Sequence, residues 1–169
     1  AAAVAQLGRV AHSTLLGNGN TTTIEFAEAL AQVVPVDGPH FLFASDGAAA
    51  VEQAIKIAFQ FWTNQGVTGR TKYLAFGSLS IGAGGFGTDV FDPLRFPVVR
   101  APGFDDPDCI DAACELIARH RDELAAVVVE PLVQGAAGMQ LRPAAEFAAL
   151  GRACREHDVL LICDEVATG

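Results

Sequence analysis

Three short stretches of the chain place polar residues at the end of an apolar run: Ser45-Asp46-Gly47, Glu130-Pro131 and Asp164-Glu165. Gly47 lies between an apolar run and a helical pattern starting near Ala48. That turn offers backbone N–H groups at the positive end of a helix, which together bind phosphate. The same residues admit a plainer use, in which Ser45 or Asp46 merely caps the helix. Asp164 directly follows the apolar run 159–163, so its carboxylate is expected to emerge from the middle of a buried sheet. A carboxylate there needs a partner, because burying an unpaired charge is costly. A cationic ring nitrogen of a cofactor would serve, and so would a neighbouring Arg or a loop for the carboxylate to cap.

A fourth stretch, Ser78–Asp89, contains Gly82, Gly84 and Gly87 in the G-x-G-x-x-G order of dinucleotide-binding turns. That pattern counts only after a strand, at the opening of a helix, and with an acidic residue about 20 positions on. "SLSI" is a poor strand, and Gly87 leads into "TDVFDPLRFP", which has two prolines and no helical period. The acids near the required distance, Asp105 and Asp106, belong to a helix start. The dinucleotide reading fails on context, and the glycines are expected to form a loop bordering a pocket.

The elements that must position these residues alternate. The opening "AAAVAQLGRVAH" reads as a short helix and lacks the basic start and apolar block of a secretory signal. A helix over Thr21–Val33 opens on threonine caps. His40–Ala44 is an apolar run between turn signals, hence an expected buried strand. Val51, Ile55, Ala58 and Trp62 then share one face of a helix that Gly66 can close. Strands are expected at Thr71–Phe76, Phe96–Arg100, Ala125–Glu130 and Asp158–Glu165, with helices at 105–120 and 142–157 between them. This alternation predicts an α/β domain with a mainly parallel sheet covered on both faces. In such sheets, ligands bind beyond the carboxyl ends of the strands.

Composition narrows the classes. With 51% apolar residues, the 169-residue chain can bury a sizeable core. A net charge of −9, with none of its 11 Lys and Arg in a run, argues against a nucleic-acid partner. No apolar run approaches the roughly 18 residues of a membrane span. Cys109, Cys114, Cys154 and Cys163 fit no zinc spacing, so no metal site is assigned. Reduced thiols and a cytoplasmic location are the expectation, with Cys163 an inert buried thiol in its strand. His12, His40, His120 and His157 are scattered. His120 and His157 stand near helix C-termini, where imidazole meets the helix dipole favourably.

The segments "FLFASDGAAAVEQAIKIAFQFW", "AAVVVEPLVQGAAGM" and "LLICDEVATG" resemble the large-domain motifs of the class III pyridoxal-phosphate-dependent aminotransferases. Within that family, "VAHSTLLGNGNTTTIEFAEALAQVVP" and "FWTNQG" resemble the branch that acts in biotin biosynthesis. The resemblance runs from Val10 to Gly169 and implies a fold-type I large domain, incomplete here. An N-terminal helical segment, 1–34, precedes this partial cofactor-binding domain, 35–169. The implied cofactor is pyridoxal 5′-phosphate. Gly47 and Ala48 match the family's Gly-Ser pair, whose backbone N–H groups hold the cofactor phosphate; Ala48 keeps that contact but lacks the hydroxyl. Asp164 matches the aspartate that pairs with the pyridine nitrogen, Val166 the aliphatic residue on the ring face, and Glu130 a glutamate near the cofactor. The implied reaction is transfer of an amino group, with S-adenosylmethionine as donor, onto 8-amino-7-oxononanoate. Small-molecule donor and acceptor and a homodimer with interfacial active sites are implied as partners.

Two departures accompany the matches. The family's Schiff-base lysine lies downstream of the Asp-Glu-x-x-Thr-Gly motif, and neither Lys56 nor Lys72 matches it, so no catalytic residue is assigned. After "KYLAFGS" the family continues with a Tyr-His-Gly segment whose aromatic ring stacks on the cofactor, whereas here the chain passes to "LSIGAGGFG". These departures make the 169 residues read as part of such an enzyme. Another class III aminotransferase acting on ornithine, acetylornithine or an ω-amino acid is one alternative. A catalytically inactive α/β scaffold or dimerisation module is another.

Overall fold

The computed structural model describes residues 1–77, 96–135 and 137–169. They form two compact units, Ala1–Phe43 and Ala44–Gly169.

The first unit carries α1 (Ala2–Leu7) and α2 (Thr21–Ala31). The cap of α2 is Asn20 rather than a threonine: its side-chain oxygen accepts the Thr23 N–H at 2.9 Å. Asparagine in extended backbone does this without the χ1 restriction that β-branching imposes on threonine. The apolar run His40–Ala44 is not a strand. Among the described residues no strand takes up its backbone groups, and Leu42 stays 67% exposed. Within this unit, Phe43 stacks on Phe26 with ring centroids 5.7 Å apart. A short apolar run signals burial, but here Phe43 itself stays 38% exposed, so the expected burial is not realised within this unit.

The second unit is built on a four-stranded parallel sheet of β1 (Lys72–Phe76), β2 (Val98–Ala101), β3 (Leu124–Val129) and β6 (Leu160–Cys163), in the order β2-β1-β3-β6. Every residue of β3 is buried, as a central parallel strand requires. Alternation along β1 splits the core into two layers. Leu74 and Phe76 pack with Val127 and Val129 against α4 (Cys109–His120) and α5 (Ala144–Glu156). Tyr73 and Ala75 face the other way, with Ala126 and Val128, against α3 (Gly47–Asn64). The expected stripe on α3 is the one that turns inward: Ala58 and Trp62 are buried, and Val51 and Ile55 pack beside them. Alanines on both sides of that layer let the helix lie close to the sheet.

Two helix ends are closed by the same device. Past α3, Gly66 takes φ +75° while its N–H bonds Thr63 O at 3.0 Å and Val67 N–H bonds Trp62 O at 2.9 Å. Past α5, Asp158 plays the glycine's part at φ +53°, and Val159 N–H bonds Cys154 O at 2.8 Å. Arg70 ties the two together. Its guanidinium lies 3.9 Å from the Trp62 ring centroid and donates to Asp158 O, while Trp62 Nε1–H donates to Ala125 O at 2.8 Å.

A two-stranded antiparallel hairpin, β4 (Val133–Gln134) with β5 (Gln140–Leu141), follows β3. The first strand segment is too short to show in a hydrophobic period. None of the described helices is long and apolar enough to cross a membrane.

Candidate active site

Parallel strands share one carboxyl end, and the candidate residues collect there. β3 pairs with β6 so that Val129 lies beside Cys163, and Asp164 N–H bonds Val129 O at 2.8 Å. Glu130 and Asp164 therefore leave the sheet on adjacent strands. The N-terminus of α3 reaches the same place. A Cβ built on Gly47 would stand 3.0 Å from Val166 Cγ2 and 3.2 Å from Cγ1. Gly47, Ala48, Glu130, Asp164 and Val166, which are far apart in sequence, thus meet at one end of one sheet.

Local chemistry differs from the expectation at two of them. Asp164 does not emerge from the middle of the sheet, because β6 is an edge strand among the described residues. Its Oδ1 accepts the Val166 N–H at 3.2 Å, so the carboxylate caps the loop that carries Val166. At α3 the capping use is realised: Asp46 Oδ1 accepts the Ala49 N–H at 2.8 Å and Oδ2 accepts the Ser45 hydroxyl at 2.8 Å. Those bonds, the one from Ala49 first, hold the Asp46 carboxyl below its ordinary value. The helix end thus already has one negative group, and an arriving phosphate would share the first turn with it.

Glu130 Oε2 accepts the Gly135 N–H at 2.8 Å, bending the chain back over the sheet end. Between them, Leu132 sits at φ +68° and Val133 N–H bonds Pro131 O at 2.8 Å, a strained three-residue turn for a bulky side chain. Gln134, next along, is 1% exposed. Its Nε2 donates to Phe76 O at 2.9 Å, and its Oε1 has no hydrogen-bond partner among the described residues. Sequence reasoning missed this side chain, although it stands in the Gln-Gly pair quoted above. A glutamine five residues beyond a buried strand gives no hint of its own burial.

Both lysines of the chain lie elsewhere. Lys72 opens β1 at the amino end of the sheet and pairs with Glu123 Oε1 at 2.6 Å. Lys56 is exposed on α3, paired with Glu52 at 2.6 Å. His120 joins the Lys72–Glu123 pair through Nδ1, 2.8 Å from Glu123 Oε2. His157 caps the C-terminus of α5, as its position in sequence suggested. Cys163 is exposed on the edge strand rather than buried. Buried Cys154, by contrast, has its thiol pushed up to about 12 by desolvation. The Gly82–Gly87 pattern lies outside the described residues. Asp106 stands in the turn before α4, where its Oδ1 accepts the Asp108 N–H at 2.9 Å, which is a helix-start role.

Comparison with known proteins gives the family and the fold. The family description "Aminotransferase class-III" matches residues 1–82 and 93–169, which is most of the chain. The chain belongs to the class III aminotransferases. One relative, the adenosylmethionine-8-amino-7-oxononanoate aminotransferase of Nitratidesulfovibrio vulgaris (strain Hildenborough), is 41% identical, covering 97% of this chain and 35% of its own length. The crystal structure of the like-named enzyme from Methanocaldococcus jannaschii superposes with a TM-score of 0.92 at 36% identity, over 99% of this chain and 40% of that one. An amine transaminase from an uncultivated Pseudomonas species, solved in its PLP-bound form, gives 0.81 at 31% identity, over 99% of this chain and 44% of that one. The α/β fold of these transaminases is thus the fold of this chain, which spans about two fifths of the length of such class III relatives. The family match breaks at residues 83–92, between β1 and β2. The alignment with the Nitratidesulfovibrio protein runs over 188 positions against 169 residues here, so that relative carries residues with no counterpart in this class III chain.

Proposed function

We propose that this chain is the cofactor-binding part of a pyridoxal-phosphate-dependent aminotransferase that moves an amino group onto 8-amino-7-oxononanoate, with S-adenosylmethionine as the donor. The observation that carries the reading is the seat of α3 against the segment after β6, where Gly47 and Val166 come so close that a Cβ at position 47 would press on the valine methyls at 3.0–3.2 Å. The residues present suit the two polar ends of the cofactor. Gly47 and Ala48 belong to the first turn of α3, whose N–H groups have no acceptor within the helix and suit a phosphate. Asp164, half-buried with one oxygen on Val166 N–H, can turn its other oxygen to a protonated ring nitrogen. A carboxylate there keeps that proton in place. Val166, 70% exposed beside Gly47, offers an apolar face on which a ring can lie. Glu130, held by Gly135, supplies a fixed acceptor at the rim.

When bound, the cofactor takes up the electron pair left as the substrate Cα loses its proton. The lysine that accepts such a proton in the family must come from outside these 169 residues, since Lys56 and Lys72 both stand away from the site. A homodimer and a cytoplasmic setting belong to the same proposal and rest on family resemblance.

A second reading, an inactive scaffold of the same fold, is favoured by one observation: the family match is interrupted at residues 83–92, a few positions past the Ser78–Leu79 junction at which the resemblance implies an aromatic stacking segment. Titration with pyridoxal phosphate followed by absorbance, then borohydride and peptide mapping, separates the two. The proposal expects saturable, reversible binding and no reduced adduct on Lys56 or Lys72. Absence of saturable binding would favour the scaffold.

A further inference from the structure

Gln134 is the only buried polar side chain among the described residues, and nothing in the reaction outlined above uses it. Burying a carboxamide is unfavourable unless its groups are bonded, so its place in the core calls for a reason. Only the amide nitrogen can donate to a carbonyl, which fixes the side chain with Nε2 on Phe76 O. That carbonyl ends β1, and the bond ties the β4–β5 hairpin to the carboxyl end of the sheet. At Gly77, immediately beyond, backbone passes so near Gly103 that a Cβ would stand 3.0 Å from its Cα. The Gln134 bond therefore closes onto a tightly packed, narrowly determined point of the fold.

The neighbouring residue carries the consequence. Gly135 N–H is the donor that holds Glu130 Oε2. Gln134 is thus fixed through its side chain on Phe76 O, and the peptide N–H that follows it spends its hydrogen bond on Glu130. The Leu132 turn between them is strained, and a strained turn persists only where its surroundings over-determine it. We infer that Gln134 is a positioning residue of the cofactor site: through Gly135 it sets the orientation of the Glu130 carboxylate at the rim. The inference rests on the cofactor reading proposed above.

The test is a double-mutant cycle on the whole protein, read as dissociation constants for pyridoxal phosphate and, separately, for inorganic phosphate. Gln134→Leu removes the bond to Phe76 O and the unpartnered Oε1 together. Gln134→Met, unbranched and of matching length, is the second variant should Leu not fit. Either is expected to weaken pyridoxal phosphate about tenfold, near the low end of what one charge-assisted hydrogen bond is worth. Inorganic phosphate, held at the start of α3, should bind as in the wild type. Glu130→Gln should weaken pyridoxal phosphate too, and the double variant should lose no more than the larger single loss, because the two act as one unit. Independent, multiplying losses would overturn the inference. So would pyridoxal phosphate affinity within twofold of wild type, or an equal loss for inorganic phosphate, which would mean general loosening. If the wild type binds no pyridoxal phosphate, the cofactor reading fails and this inference falls with it.

Discussion

Replacing Gly47 with alanine tests the seat of α3 directly. The new Cβ would sit 3.0 Å from Val166 Cγ2 and 3.2 Å from Cγ1, where carbon atoms prefer about 3.5–4.0 Å. Relief needs a movement of about half an ångström, taken by Val166 or by the first turn of the helix. Val166 is 70% exposed and the first turn is the free end of its helix, so the fold should tolerate the change with the turn taking a share of the movement. Alanine in place of glycine within a helix is worth up to about 1 kcal/mol, which offsets part of the strain. The net effect on thermal midpoint should stay within about 4 °C in either direction. Binding should respond far more. Half an ångström added to an N–H···O contact takes it from about 2.9 Å to the edge of hydrogen bonding. Losing one bond to a charged oxygen costs about 1.5 kcal/mol, or roughly tenfold in affinity. Calorimetric titration of wild type and Gly47→Ala with pyridoxal phosphate, beside a thermal melt, gives both quantities. Unchanged affinity would refute the placement of phosphate at this turn. A fall in midpoint of about 8 °C or more would show that Gly47 serves the fold first.

Two further outcomes concern the frame. Trp62→Phe removes the donor to Ala125 O and weakens the stack under Arg70, leaving a buried carbonyl unpaired. It should lower stability in urea by about 2 kcal/mol with an unchanged slope, and a loss below about 0.5 kcal/mol would contradict that role. Acid should also weaken the protein through Glu123, whose carboxyl is held below its ordinary value of 4.5 by bonds from His120 first and Lys72 second. A depressed folded value means stability that is complete above the unfolded value and lost as pH falls through the folded one. Urea midpoints should therefore decline below pH 4.5, and Glu123→Gln should flatten that decline; an equally steep decline in the variant would assign it to other carboxylates.

Much of the frame could be read from residue order because local and tertiary demands agree there. The β-branched run in β3 is buried throughout, and the 51-55-58-62 stripe of α3 is the face that packs. Gly66 closes that helix through a conformation few other residues take readily. Where local signals underdetermine the outcome, the reading stopped short. His40–Ala44 has the composition of a strand, but pairing depends on a neighbour that the run itself does not specify. Cys163 sits in an apolar run whose burial depends on its place in the sheet, and an edge position leaves it exposed. The turn at Gly47 offered backbone N–H groups for a phosphate or a helix start capped by Ser45 or Asp46, and only the distance from Asp46 to Ala49 N–H shows which residue caps. Gln134 gave no sign of burial, since a polar residue enters a core through a single distant carbonyl.

The central proposal is that pyridoxal phosphate is held at the carboxyl end of the sheet between α3 and β6. Backbone amide shifts recorded while titrating the protein with pyridoxal phosphate test it most directly. The largest saturable changes should fall on Gly47, Ala48, Gly135, Asp164 and Val166, and they should diminish together in Asp164→Asn. Changes centred instead on Lys56, on Lys72, or on the α1–α2 unit, with those five amides still, would contradict it.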